Sequence, residues 1–401
     1  MFSYRIKPSL INVLRTWLIA FLIAGVSLTI KPLTSGLTQS YDQGIKSEET
    51  DGILTMLLLE DGKIVVGGTF TTIKGQPRNF IARLNPDGSL DANFNPGANS
   101  FVHTLAIQSD GKILVGGDFT ELAGQPRERI ARLNTDGTLD VDFNPKANNS
   151  VNSLVIQTDA KILVGGDFTE INEEMRDHIA RLNDNGTLDM SFNPGVDGRV
   201  RTLVVQGDGN IVVGGYFSEV GGEQHKHIAR LNADGTLDPA FQPVVGHNVF
   251  TLALDSSGNI LVGGEFTTLN GQPRNYIGRL DSGGLLDSTF DPGANNFVNT
   301  LVVQDDGWII VGGEFTTIGG EIRNHIARID PLGQLDTNFD SGANDGVNIL
   351  ILQPDNKILV GGWFTQISGE SLNLIARLNQ NGTLDTTFNF EKFVFLPLVT
   401  K

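Results

Sequence analysis

The sequence predicts an all-β protein, a seven-bladed β-propeller built from seven 49-residue, four-stranded repeats. Three observations lead to this fold class. A Gly-Gly pair recurs every 49 residues without an insertion, from Gly67-Gly68 to Gly361-Gly362. The ten letters KILVGGDFTE stand at 112–121 and again, unchanged, at 161–170. Each repeat holds four short apolar runs, and because one such unit cannot bury its own faces, an array of separate small sheets is the weaker alternative.

The second repeat illustrates the four predicted strands. They are the runs VHTLAIQ, KILVGGDF, RIARLN and TLDVDF, at 102–108, 112–119, 129–134 and 138–143. Asp110-Gly111 separates the first run from the second, and Asp136-Gly137 separates the third from the fourth. Asp-Gly between β-rich runs is typical of a hairpin turn, since glycine supplies the positive φ at low cost. Nothing in the chain shows a helical apolar period of useful length within the repeats.

The repeated Gly-Gly pair is predicted to lie near the end of the second strand. A side chain there would collide with a neighbouring backbone or with the Phe two residues further on. A phosphate-binding glycine loop would need a strand-to-helix context, which the repeats do not provide. We therefore interpret these glycines as structural.

These residues also carry a family resemblance. The pattern DGKILVGGDF…RIARLNTDGTLDVDFNP, at 110–145, resembles the delta-60 repeat, a bacterial β-propeller module of secreted and surface proteins. The resemblance covers residues 51–389, and a weaker similarity to kelch repeats lies in the apolar strand that ends in Gly-Gly. It implies a propeller outside the cytoplasm, and it implies no catalytic residues.

The chain divides into four predicted segments. Residues 51–389 form the propeller, 37–50 a polar linker and 390–401 a C-terminal tail outside the repeat. Residues 1–36 are predicted to be a signal peptide, because basic residues precede an apolar run of 14 residues at 17–30. As a helix this run is only ~21 Å long, short of a ~30 Å hydrocarbon core. A signal anchor stays open as the alternative, and we expect the protein to be secreted or on the extracytoplasmic cell surface.

Composition excludes several classes of function. The chain has no cysteine, so disulfides, thiolate metal sites and a cysteine nucleophile are ruled out. The formal net charge of −17 argues against a nucleic-acid partner. We expect membrane contact only through the N-terminal segment, and the sequence leaves the oligomeric state open.

Two periodic charge patterns are predicted to be structural. The Arg of I-A-R-L stands eight residues before the Asp of L-D in every repeat, which predicts a ladder of seven ion pairs. The residue after Gly-Gly is acidic in four repeats and has an Arg nine residues later, which predicts an ion pair that braces the intervening loop. These acids are Asp118, Asp167, Glu265 and Glu314.

Aromatic residues replace this acid in two repeats, at Tyr216 and Trp363, and the Arg is then lost as well. We predict that both side chains lie on the face of the variable loops, where they stack on a sugar or contact a partner protein. Packing against their own loops is the alternative interpretation.

The second residue of each innermost strand is predicted to lie at the channel mouth. Five of these seven residues are polar and are predicted to contact a ligand: His103, Asn152, Arg201, Asn299 and Asn348. We expect no Asp or Glu beside them, and therefore no Ca²⁺ site, no other metal and no cofactor. Three histidines, His178, His227 and His325, share one repeat position in separate blades, so they cannot converge on one metal.

Three functional hypotheses follow. The first is a secreted or cell-surface, non-enzymatic propeller that binds a protein or a glycan through its loop face. The second is a propeller enzyme acting on glycans, a hydrolase or lyase, with its site at the channel mouth; the expected lack of paired carboxylates argues against it. The third is a purely structural envelope protein. We predict no catalytic residues, and no nucleophile motif such as Gly-x-Ser-x-Gly occurs.

Overall fold

Seven three-stranded antiparallel sheets follow one another in a computed structural model of the protein, which describes residues 51–388. The 35 strands of this range are numbered β1 to β35 in chain order, five to each repeat. Each repeat forms one blade, numbered 1 to 7. Among residues 51–388, no helix is long and apolar enough to cross a membrane. The predicted signal segment 1–36, the linker 37–50 and the tail 390–401 lie outside the described residues.

The first strand of each blade is the innermost one. Each contacts the first strands of the blades before and after it, and the first strand of blade 1 contacts that of blade 7, so the ring is closed. The seven-bladed β-propeller is thereby confirmed. These strands are β1 Ile53–Leu58, β6 Val102–Ile107, β11 Val151–Ile156, β16 Arg199–Val205, β21 Val249–Leu254, β26 Val298–Val303 and β31 Val347–Leu352.

Two more strands complete the main sheet of each blade. The order is first, second, third from the channel outward, and all pairs are antiparallel. The second strands are β2 Ile64–Gly68, β7 Ile113–Gly117, β12 Ile162–Gly166, β17 Ile211–Tyr216, β22 Ile260–Gly264, β27 Ile309–Gly313 and β32 Ile358–Gly362. The third strands are β5 Ile81–Leu84, β10 Ile130–Leu133, β15 Ile179–Leu182, β20 Ile228–Leu231, β25 Ile277–Leu280, β30 Ile326–Ile329 and β35 Ile375–Leu378.

A small two-stranded hairpin, which the sequence did not predict, connects the second strand of each blade to the third. In blades 2–7 the segment arriving from the preceding blade pairs with this hairpin, as in the bridge between Ala98 and Leu122. The small hairpins and the blade-joining segments therefore share one face, as predicted, and we call it the loop face. The hairpin strands are β3 Thr72–Ile73, β4 Gln76–Pro77, β8 Glu121–Leu122, β9 Gln125–Pro126, β13 Glu170–Ile171, β14 Glu174–Met175, β18 Glu219–Val220, β19 Glu223–Gln224, β23 Thr268–Leu269, β24 Gln272–Pro273, β28 Thr317–Ile318, β29 Glu321–Ile322, β33 Gln366–Ile367 and β34 Glu370–Ser371.

The predicted fourth strand is reduced to a single bridge in each blade. In blade 2 this bridge joins Leu133 to Leu139. The chain then turns, because the Asp of the repeat uses its carboxylate to accept backbone N–H groups, as Asp287 does from Thr289 at 2.9 Å. Such local bonds compete with a sheet ladder. The turn directs an apolar ring into the core, and Phe143 is fully buried.

The Gly-Gly pair is structural, as predicted. A Cβ on Gly116, the first glycine of blade 2, would lie 2.7 Å from the Val151 side chain of blade 3. A Cβ on the second, Gly117, would lie 3.0 Å from the Cα of Val102 in the same blade. The first glycine therefore lets two blades approach, and the second lets the innermost strand cross closely.

The predicted Arg–Asp ladder is confirmed in all seven blades, from Arg83 with Asp91 at 2.9 Å to Arg377 with Asp385 at 2.8 Å. Each Arg also donates to a backbone carbonyl of the following blade. The last of these bonds runs from Arg377 to Pro86 of blade 1, at 2.8 Å. The ladder therefore braces each blade and fastens it to the next, including across the closure of the ring.

Candidate functional site

The innermost strands carry a β-bulge at the loop-face end. In blade 4 the register passes from Val200 opposite Gly215 to Thr202 opposite Gly214, so Arg201 is the extra residue. A bulge re-aims the side chain that it carries. The same irregularity occurs in every blade, and the extra residues are those predicted for the channel mouth: Leu54, His103, Asn152, Arg201, Phe250, Asn299 and Asn348.

Neighbouring bulge residues meet in two sectors of the mouth. In the first, Asn299 donates to Asn348 at 3.4 Å, and Asn348 donates to the Ile53 carbonyl at 3.2 Å. In the second, the Arg201 guanidinium lies 5.8 Å from the centre of the Phe250 ring. Each of these contacts crosses a boundary between two blades.

The predicted ion pair between the acid after Gly-Gly and the Arg nine residues later is wrong. Asp118 instead lies 3.0 Å from His103, and Asp167 accepts from Arg199 at 2.5 Å and from Asn152 at 3.4 Å. The acids point inward to the bulge residues and not outward to the small hairpin. The sequence spacing was a poor guide, because the direction of a side chain beyond a strand end depends on the bulge.

The Arg of the small hairpin has a different role. Arg127 is only 7% exposed and donates to the carbonyls of Pro126 at 2.7 Å and Val141 at 3.3 Å. It thus ties the small hairpin to the last turn of the blade. Burial lowers the pKa of Arg127, and the charge of Asp140 partly opposes this shift.

A second expectation is also corrected, because carboxylates do join the polar side chains at the mouth. Besides Asp118 and Asp167, Glu265 lies 3.0 Å from His247 and accepts from Asn248 at 2.9 Å. Glu314 accepts from Asn299 at 3.5 Å. The absence of carboxylates therefore no longer argues against an enzyme or a cation. Even so, residues 51–388 contain no group of three or more acidic or histidine side chains arranged to hold a metal ion.

Asp118 lies between two groups that could belong to a catalytic triad. Its carboxylate contacts His103 on one side and the hydroxyl of Ser150 on the other. Burial by itself raises the pKa of Asp118, but the hydrogen bonds and charge of His103, with the Ser150 bond, outweigh it and lower the pKa. Nucleophilic catalysis needs the imidazole between hydroxyl and carboxylate. The order here is reversed, so the serine is not activated.

The acid after Gly-Gly has a recurrent neighbour across the blade boundary, 32 residues further along. Asp118 meets Ser150 in this way, and Asp167 meets Arg199. In blade 7 the same position is Gly346, where a Cβ would collide with the Glu314 carboxylate. A search for matched residue types at a spacing of 32 could have identified these pairs from the sequence.

The structure places the two predicted aromatic residues differently. Trp363 is 6% exposed, and its indole occupies the space that a Cβ on Gly52 would need, so it seals the junction of blades 7 and 1. Its ligand contact stays a prediction, limited to this small exposed edge. Tyr216 is half-buried, stands opposite Arg199 in the sheet, and stacks on Phe250 with 5.8 Å between ring centres.

Tyr216 belongs to a larger group that the sequence did not predict as a site. We call Arg199, Arg201, Tyr216 and Phe250 the arginine–aromatic cluster. The Arg199 guanidinium lies 5.5 Å from the centre of the Tyr216 ring, and Phe250 also contacts Phe297 of the next blade, edge to face at 5.8 Å. The sequence patterns did not single out Phe250, the bulge residue of blade 5. They also missed Arg199 and Phe297, which stand two residues before the bulges of blades 4 and 6.

The shared position of His178, His227 and His325 lies at the outer part of the loop face. All three have a left-handed backbone, with φ between 63° and 66°. The Nδ1 atoms of His178 and His325 lie 3.3 and 3.2 Å from glycine carbonyls of their own blades. The His227 ring stacks on His247 at 5.9 Å, and burial together with the neighbouring His247 lowers the pKa of His227. Each histidine therefore makes its contact in its own sector of the face.

A closed ring of seven antiparallel blades defines the chain as a repeat β-propeller. It belongs to the family described as a domain of unknown function (DUF5122) beta-propeller, whose model matches seven segments, at 59–94, 108–143, 157–192, 206–241, 256–290, 304–339 and 353–388. The match supports a repeat propeller, while the delta-60 name remains a resemblance. No curated protein matches this chain.

Two of the solved structures that are similar to this chain are described as propellers. The WD40 β-propeller domain of Doa1 is 14% identical, with 82% of this chain and 96% of that chain covered and a TM-score of 0.54. The Dos1 propeller is 11% identical, with 83% and 89% covered and a TM-score of 0.52. A streptogramin B lyase is 14% identical, with 79% and 93% covered and a TM-score of 0.50. At these identities the likeness concerns the fold alone.

Proposed function

We propose that this protein is a non-enzymatic binding protein, secreted or held at the extracytoplasmic cell surface, which takes a protein or glycan on its loop face. One observation carries the proposal. The blades share the same backbone, yet side chains at the mouth of the loop face differ from blade to blade, whereas those of the core and the Arg–Asp ladder repeat.

Two repeat positions illustrate the difference. The buried Phe after Gly-Gly and the ladder residues are the same in all seven blades. The bulge position carries Leu, His, Asn, Arg, Phe, Asn and Asn in turn, and the position after Gly-Gly carries Thr, Asp, Asp, Tyr, Glu, Glu and Trp. Packing of a repeated backbone favours a repeated residue. The variety at the mouth is therefore not required by the fold, which favours a role in recognition.

The chemistry of the mouth suits a polar ligand with flat apolar surfaces. Amides, carboxylates and a histidine can exchange hydrogen bonds with hydroxyl or amide groups of a ligand. The hydroxyl of Tyr216 is buried, but the exposed part of its half-buried ring offers an apolar surface of the kind that contacts sugars and protein surfaces. Both ligand classes in the proposal match this mixture.

A ligand screen by thermal shift tests the proposal, with the full chain and a panel of oligosaccharides and candidate partner proteins. A ligand at a hundred times its Kd adds ~2.7 kcal/mol to the free energy of unfolding, which raises the melting temperature measurably. We expect Tyr216→Ala to weaken binding at temperatures where the variant is still folded, although loss of the ring that stacks on Phe250 lowers its ligand-free melting temperature. Trp308→Ala, beside Arg328 and away from the mouth, is the control and should bind normally.

The proposed location depends on residues 1–36 and is tested separately. We expect the mature protein, recovered from the culture medium or the cell envelope, to lack this segment when its N-terminus is measured by mass spectrometry. An intact N-terminus in the membrane fraction would favour the signal anchor, and an intact, soluble cytoplasmic protein would contradict the proposed location.

A glycan-active enzyme is the second candidate function, favoured by the carboxylates found at the mouth. Incubating the screened oligosaccharides with the protein and following products by mass spectrometry separates the two candidates. New products that disappear in the Asp118→Asn or Asp167→Asn variant would replace the binding proposal with an enzyme. A chain that binds nothing in the screen would support the structural envelope role instead.

A further inference from the structure

We infer that the ligand of the loop face is an oligosaccharide that carries a carboxylate, and that Arg201 binds this carboxylate. The inference rests on the proposed function and deepens it by naming the ligand class. It follows from which charges at the mouth have partners and which one does not.

Each carboxylate at the mouth has a donor within the protein. Asp118 contacts His103 at 3.0 Å, and Asp167 contacts Arg199 at 2.5 Å. Glu265 contacts His247 at 3.0 Å. The fourth, Glu314, accepts from an amide of Asn299 at 3.5 Å. These acids are therefore already occupied and do not call for a cationic ligand.

Arg201 differs from the other mouth cations. Its guanidinium makes no hydrogen bond and no ion pair with any of residues 51–388, and its contact is with the face of the Phe250 ring at 5.8 Å. Arg199, two residues earlier on the same strand, is matched by Asp167. A guanidinium that stacks on an aromatic ring keeps the N–H groups at the edge of its plane available. These N–H groups can donate two parallel hydrogen bonds to a carboxylate.

The surroundings of Arg201 favour an acidic sugar over other anions. Tyr216 stacks on the same Phe250 ring, and the exposed part of this half-buried side chain gives an apolar contact for a sugar ring beside Arg201. The bulge residues Asn152, Asn299 and Asn348 supply amides for hydroxyl groups elsewhere on the mouth. The net charge of −17 repels long polyanions such as nucleic acids, so a short ligand with few carboxylates is favoured.

Calorimetric titration of the full chain with tetragalacturonate and with its methyl ester tests this inference. The two probes share one sugar scaffold and differ in charge. We expect the acid to bind at least about tenfold more tightly than the ester, as a charge-assisted bidentate contact provides. Arg201→Gln should bind both probes equally, and Arg201→Lys should keep part of the preference.

Arg129→Gln is the matched control, because it removes one positive charge from the same face at a residue that bonds to the Asp118 carbonyl. It should keep the preference for the acid within about twofold, since exposed charges act weakly at a distance in salt. Melting temperatures without ligand should agree within a few degrees for wild type and Arg201→Gln, because the variant loses the contact with the Phe250 ring but no hydrogen bond or ion pair within residues 51–388.

Several results would overturn the inference. Equal binding of acid and ester by the wild type, binding of neither, or equal loss in Arg129→Gln would each do so. Equally tight binding of a glutamate-rich peptide at Arg201 would overturn the sugar as the ligand class. If these probes fail while the thermal-shift screen finds a neutral glycan or a protein that depends on Tyr216, the proposed function stands and only this inference falls.

Discussion

At the scale of single residues, the Arg of the repeated I-A-R-L motif does three things at once. In blade 2, Arg132 binds Asp140 through Nε at 2.8 Å and lies 4.4 Å from the centre of the Phe143 ring. Its Nη1 donates at 2.7 Å to the Asp184 carbonyl of blade 3. The guanidinium therefore fixes the last turn, covers the aromatic core residue and holds the next blade.

We expect Arg132→Met to lower the free energy of unfolding by about 3 kcal/mol, because it leaves the buried carboxylate of Asp140 with Lys112 as its remaining cationic partner and leaves the Asp184 carbonyl without its donor. Lys112→Met is the comparison, since its side chain is 31% exposed and should contribute less than about 1 kcal/mol. Urea denaturation of both variants measures the difference. Equal losses would mean that the ladder Arg is no more important than a surface lysine.

At the scale of structural elements, the second strand owes its close packing to the Gly-Gly pair. The first glycine faces the next blade, and the second faces the bulged strand of its own blade. The first three strands could be predicted because short apolar runs and Asp-Gly turns are local signals. The small hairpin and the fourth strand were missed because two-residue strands show no period, and because the Asp side chain competes with the sheet for backbone N–H groups.

Gly116→Ala is expected to destabilise the protein by about 2 kcal/mol, because the new methyl group lies 2.7 Å from side-chain atoms of Thr104 and Val151. The control is Gly207→Ala, where a Cβ meets nothing within 4 Å and φ is not in the left-handed region. This control should be neutral or slightly stabilising. Thermal denaturation tells the two apart, and a neutral Gly116→Ala would refute the close approach of blades.

At the scale of the whole molecule, the contacts that close the ring are copies of those between consecutive blades. The Phe388 ring of blade 7 packs against Gly88 of blade 1, where an added Cβ would lie 2.9 Å from the ring. Phe94 stands in the same relation to Gly137, at 2.6 Å. Together with the bond from Arg377 to Pro86, this closure uses residues up to Phe388.

We expect a chain that ends after Phe388 to keep its melting temperature within a few degrees, because it retains every closing contact described for blades 7 and 1. A chain that ends after Asn379 should lose more than about 4 kcal/mol, since Phe388 is removed and Arg377 loses Asp385. Calorimetry of both truncations measures this. A large loss in the longer one would show that the tail 390–401 contributes to the closure.

Acid should destabilise the whole ring through the ladder. Burial by itself raises the pKa of Asp287, but hydrogen bonds from Thr289 and Arg279 outweigh it and lower the pKa to about 2. The pKa of Asp189 is lowered in the same way by Ser191, Lys161 and Arg181 against the effect of burial. A depressed folded-state pKa contributes stability that is present above about pH 4 and is lost as the pH falls further.

The midpoint of urea unfolding should therefore fall steeply between about pH 4 and pH 2, with roughly 2 kcal/mol lost for each such Asp. Asp287→Asn should be less stable than the wild type at pH 7 and should approach it at pH 2. A wild-type midpoint that does not change over this range would contradict the assigned ion pairs.

The sequence by itself determined the number of blades, the Asp-Gly turns, the structural glycines and the Arg–Asp ladder. Each of these depends on residues close in the chain, repeated with one period, so spacing alone reveals them. The tertiary structure decided how the mouth is assembled: Asp118 with His103 and Ser150, and Arg201 over Phe250. These contacts depend on the bulge and on the rotation between blades, and neither leaves a local pattern in the sequence.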